Sequence, residues 1–364
     1  MHMQLLYNNK VDRTNFGSSM LPLYGGQCQI DPYDLVFKMD CLAHSILYDT
    51  KTNGFRPLMV HNDTWCSTSS VLPNGTLVQT CGYNDKDRFF TWYTTNKILL
   101  DGRVIIVGDR GQFNHEFYPS TFTSFPLEFL RETRDEMRMI CTIFTLFTIW
   151  ELVYFRSLTQ DFPQIPGGNP RNYPSLGSSV LLPIDGNSPI IQAEILLCGA
   201  APHGKYANAK SNGNMIPIPN GEVLIINMEA SPRPRMYHST MILLTDESVL
   251  VGGSNPHVVY NFIGVEFPTD LSLEAFFPPY LAAIHEVVKP RIFHFDENEY
   301  QKVFLVSFGV GKNFLKLGFC RLELWLHHLT HSFSMNQRMV VLKIVQFSCV
   351  GPSIPSHGMW VKLG

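Results

Sequence analysis

One pattern of apolar and polar positions recurs along the chain: an apolar stretch, a short turn rich in Pro, Asn, Asp and Gly, a second and more apolar stretch, then small residues. It runs through Val71-Leu72-Pro73-Asn74-Gly75-Thr76-Leu77-Val78, closing on Cys81-Gly82. It runs again through Ile98-Leu99-Leu100-Asp101-Gly102-Arg103-Val104-Ile105-Ile106-Val107-Gly108. Further copies span Ile216–Ile226, with Asn220-Gly221, and Leu243–Gly253, with Asp246-Glu247; a looser one joins Val180–Pro183 to Ile195–Gly199. An Asn-Gly or Asp-Gly pair supplies the positive φ that a two-residue hairpin turn needs, so each copy predicts an antiparallel hairpin. The second strand of each is too apolar for a water-facing edge and is expected to be buried on both faces. Hairpins repeated in this way predict the inner strands of β-propeller blades around a channel. Blades of this type take roughly 40–50 residues. Here Asn74 to Asp101 is only 27 residues and Asn220 to Asp246 is 26. Either the repeats are not four-stranded blades or outer strands have been lost.

From about Pro279 the pattern changes. Val287–Phe293, Val303–Phe308, Leu322–Leu326, Val340–Phe347 and Trp360–Leu363 alternate or run apolar without the Asp-Gly turn, which predicts a small β-sandwich after the propeller. The organisation expected is thus a propeller over 1–278 and a sandwich over 279–364. One stretch fits neither pattern: Met139–Trp150, twelve apolar-rich residues before Glu151, with no turn signal. It falls well short of the ~20 residues a membrane-spanning helix needs, and a buried strand or core helix is the expectation.

Composition narrows the functions. Hydrophobic residues make up 45% of 364 and charged residues 16%, enough for a sizeable core. With a net charge of −3 and no long run of Lys or Arg, neither nucleic acid nor an anionic membrane is an expected partner. Eight cysteines include no Cys-x-x-Cys pair, which argues against structural zinc. Cys28 and Cys41 are close enough in sequence to bridge neighbouring strands, a bond that needs an oxidising compartment. The triplets Asn62-Asp63-Thr64 and Asn74-Gly75-Thr76 are glycosylation sequons and point the same way. Met1-His2-Met3-Gln4-Leu5-Leu6 reads as the start of a strand and not as a signal peptide, so either the chain is cytosolic or its N-terminus is missing, and the second is the expectation.

Several longer strings resemble the plant glyoxal/aldehyde oxidases, relatives of galactose oxidase. They are Met1-His2-Met3-Gln4-Leu5-Leu6, Asp63-Thr64-Trp65-Cys66, Gly82-Tyr83-Asn84-Asp85, Trp92–Pro119, Phe162–Gly168 and Arg171–Ser175. The similarity continues in Pro234-Arg235-Met236-Tyr237-His238-Ser239, Gly252-Gly253-Ser254-Asn255-Pro256-His257, Thr330–Arg338 and Trp360–Leu363. The resemblance implies an all-β protein: a seven-bladed kelch-type propeller, incomplete here, followed by an immunoglobulin-like sandwich. It implies a secreted, monomeric copper-radical oxidase that converts a small aldehyde to a carboxylic acid with O₂ and releases hydrogen peroxide.

The same resemblance implies a ligand set. Tyr237 and His238 would supply a phenolate and an imidazole to one Cu(II), and His331 a second imidazole from the sandwich, a nitrogen and oxygen set that suits Cu(II). Tyr237 would also serve as the general base that takes the substrate proton. Cys66 occupies the position of the cysteine whose thioether bond to a tyrosine carries the radical. Taken alone, a Tyr-His pair is unspecific and a lone cysteine reads as a buried thiol. His327 and His328 read as surface residues of a strand edge, and His257 as a turn residue without a role. A hydrolase built on Cys66 and His61 lacks any recognisable oxyanion or acid partner.

The family carries the partner tyrosine in an Asn-Leu-Tyr-Pro string between the regions matched by Phe117-Tyr118-Pro119 and Phe162–Gly168; here the Met139–Trp150 run stands there instead, and nothing in the sequence places Tyr154, the only tyrosine nearby, against Cys66. Read one nucleotide later, Trp150-Glu151-Leu152-Val153-Tyr154-Phe155 can encode Gly-Asn-Leu-Phe-Ile-Phe, the family's next strand. Read two nucleotides later, Arg138-Met139-Ile140-Cys141-Thr142 can encode Asn-Asp-Leu-Tyr. The hypothesis is a frameshift or gene-model error between about Arg138 and Asp161. Further segments are missing after Asp87, after Ala207 and after Glu229. Two other readings stand beside an impaired oxidase: a non-catalytic secreted propeller that binds partners, and the product of a degenerate gene.

Overall fold

A computed structural model describes residues 2–6, 8–14, 21–32, 38–60, 64, 67–80, 94–99, 102–109, 112–119, 123–127, 178–182, 191–198, 214–219, 222–226, 233, 235, 237–257, 259–283, 291–294, 307–310, 313–316, 340–346 and 359–363. Among them there is no α-helix; the chain is all-β. No helix there is long and apolar enough to cross a membrane.

The N-terminal sheet holds β1 (His2–Leu5) and β2 (Lys10–Thr14). After the small hairpin β3 (Gln29–Ile30)–β4 (Met39–Asp40), it gains β5 (Ser45–Asp49) and β6 (Gly54–Leu58), in the order β1-β2-β5-β6. Gln29 pairs with Asp40, so Cys28 and Cys41 face each other one step further out, and they form the expected disulfide. Next come the hairpin β7 (Thr68–Val71)–β8 (Leu77–Thr80) and the antiparallel sheet β9 (Thr95–Ile98), β10 (Val104–Asp109), β11 (Gln112–Tyr118) and β12 (Phe125–Pro126). β13 (Ser178–Leu181) pairs with β14 (Ile191–Cys198), and β15 (Asn214–Pro217) with β16 (Val223–Ile226). β17 (Thr240–Leu243), β18 (Val249–Ser254) and β19 (Asp270–Phe277) form a third meander.

Each predicted repeat is a hairpin: β7–β8, β9–β10, β13–β14, β15–β16 and β17–β18. In β9–β10 and β17–β18 the second strand is the buried one. All six residues of β18 are buried, as are Val104–Val107 of β10. The turns differ from the two-residue form. Leu72 and Thr76 close the first, with Gly75 alone at positive φ (82°). Leu99 and Arg103 close the second around Gly102 (φ 82°), and Leu244 and Ser248 close the last around Glu247 (φ 68°). Each pair closes over three residues, the last of them left-handed. The left-handed position falls on the third loop residue only, which is why the repeat tolerates Glu where the others carry Gly.

The sheets follow one another through their first strands. β1 lies beside β17 on one side and β7 on the other, β7 beside β9, β13 beside β15, and β15 beside β17. That is the neighbour relation of propeller blades, although no closed ring is formed among the described residues. Apolar cores fill the spaces between sheets: Met3, Val11 and Tyr48 pack with Leu250 and Leu273, and Ile218 and Leu224 pack with Val249, Val251 and Phe276.

Beyond 279, β20 (Arg291–His294), β21 (Ser307–Val310) and β22 (Asn313–Lys316) form a sheet of their own. β23 (Val340–Gln346) runs parallel to β14, and β24 (Met359–Leu363) pairs antiparallel with β19. The strand expected over Leu322–Leu326 lies outside the described residues.

Asp12 on β2 is a polar group inside this core. Ser45 Oγ donates to its Oδ1 at 2.8 Å, and its Oδ2 is buried with no hydrogen-bond partner among the described residues. Burial raises its pKa from the ordinary 3.8 to about 6, because the fold disfavours the charged form. The stability this contributes is full below pH 3.8 and is lost as pH rises through about 6. Asp12→Asn, which is neutral at every pH, is expected to gain on the wild type by on the order of 2–3 kcal/mol between pH 4 and pH 8. Denaturant titrations of both proteins at those pH values check it; a constant difference would contradict the assignment.

Candidate active site

Tyr237 and His238 lie in the turn that leads into β17, just after the Pro234-Arg235 pair. Two main-chain groups of Asn255, the residue that follows β18, hold them. Asn255 N–H donates to the Tyr237 carbonyl at 2.7 Å, and His238 Nδ1–H donates to the Asn255 carbonyl at 2.9 Å. His238 is left-handed, with φ 62°, and its ring stands 3.8 Å from the Tyr237 ring, centroid to centroid, at 45°. A left-handed residue other than glycine costs on the order of 1–3 kcal/mol and persists only where the surroundings impose it. Here the surroundings are the Asn255 clamp.

Asn255 is itself fixed. Thr269 Oγ1 donates to its Oδ1 at 2.9 Å, and Thr269 is in turn bonded to the backbone of Asn261. His257 ties the same loop to the Phe267 carbonyl at 2.7 Å, which agrees with its reading as a turn residue. Two residues before Tyr237, Arg235 is fully buried against Glu274 at 2.6 Å, with further bonds to the carbonyls of Gly253 and Ser272. Neither Asn255 nor the Arg235–Glu274 pair was legible as support for the site. The only sequence signal was the presence of Asn255 and Arg235 in the strings shared with the family.

Burial lowers the His238 pKa to about 3, so its ring is neutral at working pH. A neutral imidazole is the form that binds metal, and a hydrogen bond from Nδ1–H to a carbonyl is the support that orients such a ligand. The other nitrogen, Nε2, lies in the interior. A phenol and an imidazole side by side, with the imidazole fixed through Nδ1, fit two places in a Cu(II) nitrogen and oxygen set. Among the described residues no group of three His, Cys, Asp or Glu side chains comes together. Cys66 and His331, and also His327, His328, His61 and the segment 138–161, lie outside the described residues.

Hydrogen bonds between side chains link the starting ends of neighbouring first strands. His2 Nε2 meets Ser69 Oγ at 2.7 Å, joining β1 to β7. Asn96 Nδ2 donates to Thr80 Oγ1 at 2.8 Å, joining β9 to the β7–β8 hairpin. Asn214 Nδ2 donates to Ser239 Oγ at 2.8 Å, joining β15 to the residue after His238. Tyr237 and His238 therefore emerge at the end of the sheets where the first strands begin. In the chain, Cys66 stands two residues before the first residue of β7.

The family model described as the glyoxal oxidase N-terminus matches residues 1–91, 86–215 and 226–280. An aldehyde oxidase named GLOX, from Vitis pseudoreticulata, is 33% identical over 451 aligned positions, which take in 95% of this chain and 84% of the relative. Aldehyde oxidase GLOX1 from Arabidopsis thaliana is 30% identical, over 86% of this chain and 69% of the relative. A solved fungal alcohol oxidase in complex with copper covers 84% of this chain at 13% identity and a TM-score of 0.34, a likeness too low to bear on the site. An alignment longer than the 364-residue chain means that the grapevine relative has residues with no counterpart here. The first break in the family match falls at 86–91, where the missing segment after Asp87 was expected. With matches running through most of residues 1–280 and a relative one-third identical along nearly the whole length, the chain belongs to the glyoxal oxidase family.

Proposed function

We propose that this protein is a copper-dependent oxidase of small aldehydes whose turnover is impaired in the present copy. The observation that carries the reading is the Tyr237–His238 pair held by Asn255, a phenol and a neutral imidazole 3.8 Å apart at the starting end of the sheets. In this reading Tyr237, His238 and His331 hold one Cu(II), His331 coming from an immunoglobulin-like sandwich over 279–364 that caps a propeller over 1–278. Held there, copper would supply one-electron redox chemistry and a place for O₂ to react. Tyr237 takes the proton that the substrate sheds. The overall reaction is aldehyde plus water plus O₂ giving carboxylic acid plus H₂O₂, a two-electron oxidation.

The second electron needs a store beside the metal, and Cys66 is half of one. The Asn-Leu-Tyr-Pro string that carries its tyrosine partner in the family is absent between Arg138 and Asp161, where Tyr154 is the only tyrosine and stands in another context. Copper binding survives that loss in this account; two-electron turnover does not. The disulfide and the two sequons support a secreted, glycosylated protein. The same missing tyrosine also supports the second reading, a secreted propeller without catalysis.

Peroxide release with methylglyoxal or glyoxal, after copper loading, separates the readings. The chain as it stands is expected to bind copper and release no peroxide above background. A version with 138–161 restored in the shifted frame is expected to release it in proportion to aldehyde. Silence from the restored, copper-loaded version would contradict the oxidase; equal rates from both would contradict the impairment.

A further inference from the structure

Asn255 and Thr269 stand one step beyond the Ser254–Asp270 pair that ends the β18–β19 ladder. The ladder is irregular just before that point, where Gly253 is left-handed at φ 72°. Both residues are buried, at 2% and 6% exposure. The Thr269 hydroxyl makes two bonds there. Oγ1 donates to Asn255 Oδ1 at 2.9 Å and accepts from the Asn261 N–H at 2.8 Å. The Thr269 main-chain N–H donates to the Asn261 carbonyl at 2.6 Å, a tie to the same loop that does not need the side chain. A hydroxyl has one hydrogen to give and lone pairs to receive, and both capacities are used here.

The Asn255 side chain has little else to hold it. Oδ1 also accepts from the His257 N–H, at a long 3.3 Å, and Nδ2 is buried with no hydrogen-bond partner among the described residues. The main chain of the same residue carries two bonds to the candidate site: its N–H donates to the Tyr237 carbonyl, and its carbonyl accepts from His238 Nδ1–H. These bonds leave from the peptide units on either side of one Cα, so a turn of Asn255 shifts both together. His238, left-handed at φ 62°, keeps its conformation only under such constraint.

We infer that Thr269 is a positioning residue for the Tyr237–His238 pair: its hydroxyl fixes Asn255, and Asn255 fixes the phenol and the imidazole against each other. The inference rests on the assignment of both rings to the copper site made above. The effect of Thr269 passes through two successive hydrogen bonds, the means by which outer partners set the orientation of a metal-binding imidazole. Valine has the shape of threonine without the hydroxyl, and serine has the hydroxyl without the methyl, so the two variants separate packing from positioning.

The test uses the purified full chain with Thr269→Val and Thr269→Ser. In copper-free protein, amide hydrogen exchange of Asn255 reads the clamp itself, with the amides of β10 as control. Thr269→Val is expected to speed Asn255 exchange about fivefold, the effect of one lost net hydrogen bond on a local opening, and to leave β10 unchanged. The same variant is expected to weaken Cu(II) binding about tenfold and to alter the nitrogen splitting in the electron paramagnetic resonance spectrum. Thr269→Ser is expected to stay within about twofold of the wild type in both measurements. Unchanged Asn255 exchange in Thr269→Val would overturn the inference. So would Ser behaving like Val, or an equal rise across β10, which marks general loosening. Faster Asn255 exchange with wild-type copper affinity and spectrum would overturn it too, because the hydroxyl then holds the loop and not the rings. If the wild type itself takes up no copper, the site assignment falls, and Asn255 exchange still decides whether Thr269 holds the pair.

Discussion

Arg235→Ala is expected to destabilise the protein by about 3–5 kcal/mol, the usual consequence of removing one partner from a buried ion pair. Arg235 has no exposure at all, and Glu274 has almost none. Two guanidinium nitrogens donate to Glu274 Oε2, at 2.6 and 3.2 Å, and the third, Nη1, donates to both the Gly253 and Ser272 carbonyls, at 3.3 and 3.2 Å. Alanine would leave a carboxylate and two carbonyls in the interior without these donors, and a cavity the size of the side chain. The pair also ties the chain before Tyr237 to β18 and β19, so the site should loosen together with the fold. Replacing both partners, as in Arg235→Met with Glu274→Met, should recover part of the loss, because no charge is then left alone. Denaturant unfolding of the wild type and these two variants measures this. A single mutant within about 1 kcal/mol of the wild type would contradict the pairing, since surface ion pairs reach no more than that.

His238→Ala is expected to lower copper affinity by more than about 100-fold, since losing a group that merely supports a ligand already costs 10–100-fold. The folded protein should survive it. The imidazole donates to the Asn255 carbonyl, a contact worth on the order of 1 kcal/mol, while alanine keeps the Cβ and with it the cost of φ 62°. Stability close to that of the wild type, with copper binding gone, is the expected combination. Thermal melts beside a calorimetric copper titration give both numbers. Retained affinity would move the metal away from His238.

Much of the fold was legible because its signals are local. Pro73-Asn74-Gly75 and Leu100-Asp101-Gly102 announce turns between apolar stretches, and hairpins stand at both. The exact loop was not legible. A left-handed residue at Gly75 or Glu247 follows from how the flanking pairs Leu72–Thr76 and Leu244–Ser248 close, and closure depends on sheet twist rather than on the dipeptide. Strand partners were also out of reach. β24 was foreseen as a strand, but its pairing of Leu363 with Leu273 joins residues 90 apart, and no local pattern encodes that. The site divides in the same way. Tyr237 and His238 were found through a shared string. Asn255 acts through its main chain, which leaves no mark on side-chain type, and Arg235 belongs to a residue class that composition assigns to the surface.

The central claim is that Tyr237 and His238 present themselves to one metal. Titration of the purified full chain with Cu(II), followed by electron paramagnetic resonance and visible absorption, tests it most directly. The account predicts one copper per chain, a tetragonal spectrum with nitrogen splitting that His238→Ala abolishes, and a phenolate-to-copper absorption that Tyr237→Phe removes. Substoichiometric copper, or a spectrum indifferent to both substitutions, would contradict it.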